Sequence, residues 1–168
     1  MELKNYIREI MDFPEVWIWF KDISPALSNP EVFNYIVDKL WEFWKDSDKI
    51  VWLDARWFFL AWAVAYKLKK PLILVRKKWK LPWETISVDY ELEYWKNTFQ
   101  MQVWSIKSWD KISVIDDLLA TWWTSLAACD LVQKQWWIVN NVNFVIDLTF
   151  LPWAKNLSNF EVNSLVKY

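Results

Sequence analysis

Two adjacent carboxylates, Asp116 and Asp117, follow the apolar run Val114-Ile115 and lead into Leu118-Leu119-Ala120-Thr121. The spacing predicts a short strand, Lys111 to Ile115, ending on the acidic pair. A small-residue turn then enters a helix beginning near Thr124. Such a layout suits a phosphate and a ribose. Carboxylates at a strand end accept hydrogen bonds from sugar hydroxyls, while backbone N–H groups and the positive end of the helix dipole face an anion. A second segment has the same form, with the apolar run Ile50 to Leu53 followed by Asp54-Ala55-Arg56. A third, Arg76-Lys77-Lys78-Trp79-Lys80, carries four cations that can meet phosphate oxygens. Each feature also has a plainer use, as a capping pair, a solvated helix-start arginine and a solvated basic loop. The chain has no histidine, which removes Ser-His-Asp and Cys-His catalysis and leaves carboxylates, Lys, Arg, Tyr and backbone amides.

The elements that must hold these residues alternate. Leu3, Tyr6, Ile7 and Ile10 predict a short amphipathic helix, and Phe13 to Pro25 reads as irregular. Asn29 before Pro30 opens a helix with the stripe Val32, Phe33, Ile36, Leu40 and Phe43. After the Ile50–Leu53 strand comes a helix carrying Phe58, Ala61, Ala65 and Leu68, then a buried strand from Pro71 to Val75. Between Leu81 and Gln102 the pattern predicts a hairpin, with ETISV and YELEY as strands turned around Lys96-Asn97. Ala127, Ala128, Leu131 and Val132 form the stripe of the helix after the acidic pair. Further strands run over Ile138 to Leu148, with Asn140, Asn141 and Asn143 at its start, and Phe160 to Val166. Alternating strands and helices predict an α/β fold with a mostly parallel central sheet flanked by helices. No repeat or linker divides the 168 residues, so one domain is expected, 1–168.

Net charge is -1, which gives no reason to expect nucleic acid or an acidic membrane as partner. The single cysteine, Cys129, fits a reducing compartment. With neither a leader pattern nor a long uncharged apolar run, a cytoplasmic location is expected. The anomaly is elsewhere: the chain has 17 Trp and no Gly, where a chain of this length ordinarily has roughly 7% Gly. Trp also stands where turns ask for glycine, as in Ser108-Trp109-Asp110 and Pro82-Trp83-Glu84.

In order along the chain, the runs FKDISP, LDAR, RKKWKLPWET, LEYWK and VIDDLLATWWTS resemble the adenine branch of the type I phosphoribosyltransferases. The likeness extends from the first helix to SLVKY. It implies that family's fold, with a flap hairpin at about 76–104 closing over the site. It also implies the conversion of adenine and 5-phosphoribosyl 1-pyrophosphate (PRPP) to AMP and pyrophosphate, with Mg²⁺ as cofactor and a homodimer as the common assembly. Carried onto this chain, Phe20 would stack on adenine, where spacing alone would make it a core aromatic, and the Lys21 backbone would read the base edge. Leu118 would cover the other face of the base. Asp54, Ala55 and Arg56 would meet pyrophosphate, and Arg76, Lys77 and Lys80 would meet pyrophosphate or the 5-phosphate. Asp116 and Asp117 would contact the ribose hydroxyls or Mg²⁺-bound water, and Ala120, Thr121, Trp122, Trp123 and Thr124 would cradle the 5-phosphate. Glu93 and Tyr94, in the flap, would move proton density at the purine and pack over the site. Orotate and xanthine transferases are the rival members, and FKDISP argues against them.

Where that family carries glycine, this chain has Trp17, Trp52, Trp57, Trp79, Trp83, Trp95, Trp109, Trp122 and Trp123. One reading is that most or all of the Trp stand for Gly, by replacement or because a codon such as UGA serves glycine in the source lineage. The other is literal, giving an impaired variant of the fold that acts at most as a binding or structural protein.

Overall fold

The computed structural model describes residues 1–53, 59–92, 95–103, 109–119, 122–135, 137–151 and 157–168. A seven-stranded sheet organises them. Its strands are β3 (Lys49–Leu53), β4 (Leu72–Lys77), β5 (Thr85–Leu92), β6 (Trp95–Gln102), β7 (Lys111–Leu119), β8 (Ile138–Asp147) and β9 (Val162–Lys167), in the order β5-β6-β4-β3-β7-β8-β9. The ladders from β4 through β3, β7 and β8 to β9 are parallel, and β6 joins β4 antiparallel. A separate ribbon pairs β1 (Arg8–Ile10) with β2 (Phe20–Asp22).

Period-two alternation divides the sheet's apolar residues between two faces. Val51, Leu53, Ile112, Val114, Val142 and Phe144 pack with Ala127, Ala128, Leu131 and Val132 of α4 (Trp122–Gln133), the stripe predicted from sequence. Ile50, Trp52, Ile115 and Val145 pack instead with α2 (Pro30–Trp44) and α3 (Phe59–Leu68). Asn29 caps α2 as its position before Pro30 predicts, its Oδ1 accepting from the N–H groups of Glu31 and Val32 at 3.0 and 3.2 Å. The other end of α2 is closed from outside the helix. Lys70 Nζ donates to the carbonyls of Trp44, Lys45 and Ser47, and Asn141 Nδ2 donates to that of Phe43 at 2.8 Å.

Four expectations need correction. The predicted N-terminal helix is a single 3-10 turn, Leu3–Tyr6, followed by β1, because Arg8, Glu9 and Ile10 find partners in Asp22, Lys21 and Phe20. A short helix, α1 (Ser24–Ser28), occupies the end of the segment read as irregular. Arg76 and Lys77 are the last residues of β4 rather than loop, held by pairing with Gln100 and Phe99. The hairpin turn is not at Lys96-Asn97. Both TISV and YEL lie in β5, and Lys96 and Asn97 pair with Glu91 and Tyr90 inside the ladder.

Among the described residues six have φ in the left-handed region, and four are tryptophans: Trp17, Trp79, Trp83 and Trp109, at 70° to 75° except Trp79 at 69°. Their residues are 74% to 89% exposed. An L-residue pays about 1–2 kcal/mol for this conformation, which glycine adopts freely, and indoles this exposed bury little surface to set against the cost, although Lys78 Nζ lies 5.3 Å from the centroid of the Trp79 ring. Trp44 has the opposite difficulty, being fully buried with an indole N–H that has no hydrogen-bond partner among the described residues. Trp79→Gly is therefore expected to stabilise the chain by about 1 kcal/mol, read as a higher urea midpoint at unchanged slope. A lower midpoint would mean that the turn does not strain its tryptophan.

Candidate active site

Running outward from β3, the chain goes to β4 on one side and to β7, β8 and β9 on the other, so the order of strands reverses between β3 and β7. Crevices at the carboxyl ends of such a pair are where open α/β sheets bind ligands. Asp116 and Asp117 lie at that end of β7. They are not beyond the strand, as the sequence predicts: β7 runs on to Leu119 because β8 is long enough to pair Asp116 with Phe144, Leu118 with Ile146 and Leu119 with Asp147.

Asp116 is 8% exposed. Its Oδ1 accepts the N–H of Asp117 at 2.9 Å and its Oδ2 accepts from Ser125 Oγ, in α4, at 3.3 Å. Burial, and then the neighbouring Asp117 charge, push its carboxyl well above the usual carboxylate range. A sugar hydroxyl or the water shell of a hard cation would relieve both costs. Asp117 is half-buried. Ser125, fully buried, was not singled out in the sequence reading. Its bond to Asp116 spans a strand, a turn and a helix start, so no sequence spacing marks it.

Helix α4 begins at Trp122, two residues earlier than predicted, and Thr124 is half-buried in its first turn. Its start follows β7 after only Ala120 and Thr121, which lie outside the described residues. Asp54, Ala55 and Arg56, after β3, and Glu93 and Tyr94, between β5 and β6, also lie outside them. Among the cations, Arg76 and Lys77 end β4, which is separated from β7 by β3, and Lys80 is exposed in the following turn. The structure therefore places them along the same carboxyl edge as the acidic pair.

Phe20 and Lys21 sit in the ribbon. Phe20 is half-buried with its ring edge-on to Phe13, centroids 5.2 Å apart. Leu118, expected from the resemblance on the other face of the base, packs against the apolar cluster that contains Ile23, the residue after β2. At the head of α1, Asp22 Oδ1 accepts the Ser24 N–H at 2.9 Å, and hydrogen bonding from Ser24 holds its carboxyl below the usual range. Cys129 is buried and its thiol is pushed up to about 12, chiefly by desolvation, so it is not a nucleophile. Among the described residues no three His, Cys, Asp or Glu side chains gather as a metal cluster, and the acidic pair offers hard oxygen donors at the switch point.

No family model matches the chain. Among curated proteins it is 46% identical to the adenine phosphoribosyltransferase of Clostridium botulinum over 170 residues, covering 100% of this chain and 99% of the relative. It is 44% identical to that of Mycoplasma mobile, covering 99% and 97%. Among solved structures, the adenine phosphoribosyltransferase of Thermoanaerobacter pseudethanolicus superposes with a TM-score of 0.92 at 38% identity, covering 99% of this chain and 98% of that one. The Saccharomyces cerevisiae enzyme, complexed with adenine and an imino-altritol bisphosphate, gives 0.90 at 32% identity, covering 98% and 96%. With the acidic pair of β7 at the switch point of the type I phosphoribosyltransferase sheet, and relatives matched end to end at this identity, the chain belongs to the adenine phosphoribosyltransferase family.

Proposed function

We propose that residues 1–168 act as one phosphoribosyltransferase domain, with its flap at about 76–104, that joins adenine to PRPP, giving AMP and pyrophosphate in purine salvage. The observation that carries this reading is the pair Asp116 and Asp117 at the carboxyl end of β7, beside β3 and immediately before α4. A ring nitrogen of adenine bonds to C1 of the ribose. The C1–O bond to pyrophosphate breaks with its electron pair going to oxygen, and the purine gives up one proton. Positive charge grows at the ribose and negative charge on the leaving group, so rate comes from positioning and electrostatics.

Asp116 and Asp117 accept the ribose hydroxyls and orient C1. Backbone amides of 120–124 hold the 5-phosphate, with the start of α4 favouring the anion. Arg56, with the backbone of Asp54 and Ala55, takes the pyrophosphate, and Arg76, Lys77 and Lys80 balance its charge from the β4 edge. Phe20 and Leu118 sandwich adenine, the Lys21 backbone reads its edge, and Glu93 and Tyr94 take the purine proton and cover the site. The acidic pair also suits Mg²⁺ held through water, since both are hard oxygen donors and the charge that Asp116 and Asp117 place beside each other is offset by a cation there. When bound, the ion neutralises charge on the pyrophosphate. A homodimer in the cytoplasm completes the reading, supported by the exposed apolar run of Met11, Phe13, Val16 and Ile18.

The test is AMP and pyrophosphate formation from adenine, PRPP and Mg²⁺ by the chain carrying glycine at its 17 Trp positions. Absence of AMP from that folded protein would overturn the assignment. In the same background Phe20→Ala should raise the KM for adenine about tenfold and leave that for PRPP nearly unchanged. An equal change in both would return Phe20 to the core.

A further inference from the structure

The proposed base reader is not part of the main sheet. It lies on the two-stranded ribbon of β1 and β2, while the acidic pair lies on β7. Something must fix the distance between them. Lys21 is directly opposite Glu9 in the ribbon, and its Nζ meets Glu9 Oε2 at 2.7 Å. The Lys21 side chain is only 6% exposed, against 40% for Glu9. An ammonium that buried needs further compensation, and the ring of Tyr168 supplies it, its centroid 4.0 Å from Nζ. Lys4 Nζ lies 4.8 Å from the same ring.

Tyr168 is in turn fixed to the carboxyl edge of the sheet. Its N–H donates to Asp147 O at 2.9 Å, and its carbonyl accepts from Thr149 N at 2.9 Å and Thr149 Oγ1 at 2.6 Å. Asp147 is the partner of Leu119, two residues beyond Asp117 on β7, and Leu148 N–H reaches Leu119 O at 3.4 Å. A continuous chain of contacts thus runs from the strand of the acidic pair through Asp147 and Tyr168 to Lys21. We propose that Tyr168 is a positioning residue for base recognition: its ring, through the Lys21 ammonium, sets where the β2 backbone meets the purine relative to the ribose-binding carboxylates. Glu9 holds the same ammonium from the ribbon side. The inference rests on the adenine reading of the site and adds to it a residue 147 positions away from Lys21 in sequence.

Calorimetric titration of adenine, and separately of its 6-oxo analogue hypoxanthine, into the full chain tests it. Tyr168→Leu keeps the backbone bonds to Asp147 and Thr149 but removes the ring, and should weaken adenine about fivefold while narrowing its preference over hypoxanthine. Tyr168→Phe keeps the ring and should bind as the starting chain does. Lys21→Met should match Tyr168→Leu, and the double variant should be no worse than either alone, since both break one link. If Tyr168→Leu lowers the melting temperature but leaves adenine affinity and preference unchanged, the residue is structural only and the inference falls. If the starting chain binds neither purine, the adenine reading fails and this inference with it. Strong adenine binding by the starting chain and by Tyr168→Leu alike overturns the inference alone.

Discussion

Replacing Trp122 and Trp123 together by glycine should strengthen AMP binding by about tenfold to a hundredfold, more than any other pair of Trp→Gly changes. The two residues open α4, so their N–H groups are among those a 5-phosphate would use. A phosphate seated on backbone amides needs the chain bare at close range, where glycine leaves room and a large aromatic residue type does not. Loss of one charge-assisted hydrogen bond costs about 1.5–3 kcal/mol, which sets the size of the expected gain. Full rescue should also need glycine at Trp57 and Trp95, in the pyrophosphate and flap segments. Calorimetric titration of AMP into the unchanged, doubly changed and fully glycine-bearing chains measures it. Micromolar AMP binding by the unchanged chain would put the phosphate elsewhere, and the placement of the site would be abandoned.

The acidic pair should separate activity from stability. In the glycine-bearing background, Asp116→Asn and Asp117→Asn should each lower kcat/KM about 10²- to 10³-fold, the scale for removing one preorganised electrostatic contact. Stability should move differently at Asp116. Its folded-state carboxyl titrates above the ordinary value, first through burial and then through Asp117. Between the unfolded and folded values the native state holds more proton than the unfolded one, so stability falls as pH rises through that window and stays lower above it. Asn carries no such penalty. Asp116→Asn should therefore unfold at an equal or higher urea concentration at pH 7 than its parent, with the difference shrinking as the pH falls below that window. Near-normal kcat/KM in both variants would reduce the pair to a strand-end feature. A marked loss of stability confined to Asp116→Asn would mean that the Ser125 bond outweighs burial.

The parts of this fold legible in the sequence are those fixed by local pattern. Asn29-Pro30 announces a helix start by cap chemistry, and Ala127, Ala128, Leu131 and Val132 announce a buried face by spacing; the structure has both. The strand, acidic pair and helix of the central segment were readable in order, though the extent of β7 was not, because it depends on the length of β8 beside it. The ribbon was missed since Arg8, Glu9 and Ile10 become a strand only by meeting Asp22, Lys21 and Phe20 across the nine-residue excursion 11–19. The hairpin turn was misplaced for a different reason. Turns are ordinarily marked by glycine, and a chain without glycine carries no such mark. Tyr168 and Glu9 were invisible for the same reason as the ribbon, because the ammonium they share is assembled only by the fold.

The hairpin of β5 and β6 meets the rest of the sheet through Arg76 with Gln100 and Lys77 with Phe99. Beyond that junction, the pairs Asp89 with Thr98, Tyr90 with Asn97, Glu91 with Lys96 and Leu92 with Trp95 project past the end of β4. Four residues of strand make a cantilever of about 13 Å, braced at its root by the stacked rings of Tyr90 and Phe99 and along one side by Lys134 Nζ on Ser87 O. Leverage follows from that length. A swing of about 15° at the root carries the tip through about 3 Å, roughly one hydrogen-bond length, while β4 and the strands behind it stay still. The end of the hairpin, at the pair Leu92 and Trp95, thus moves far for a small change at its root.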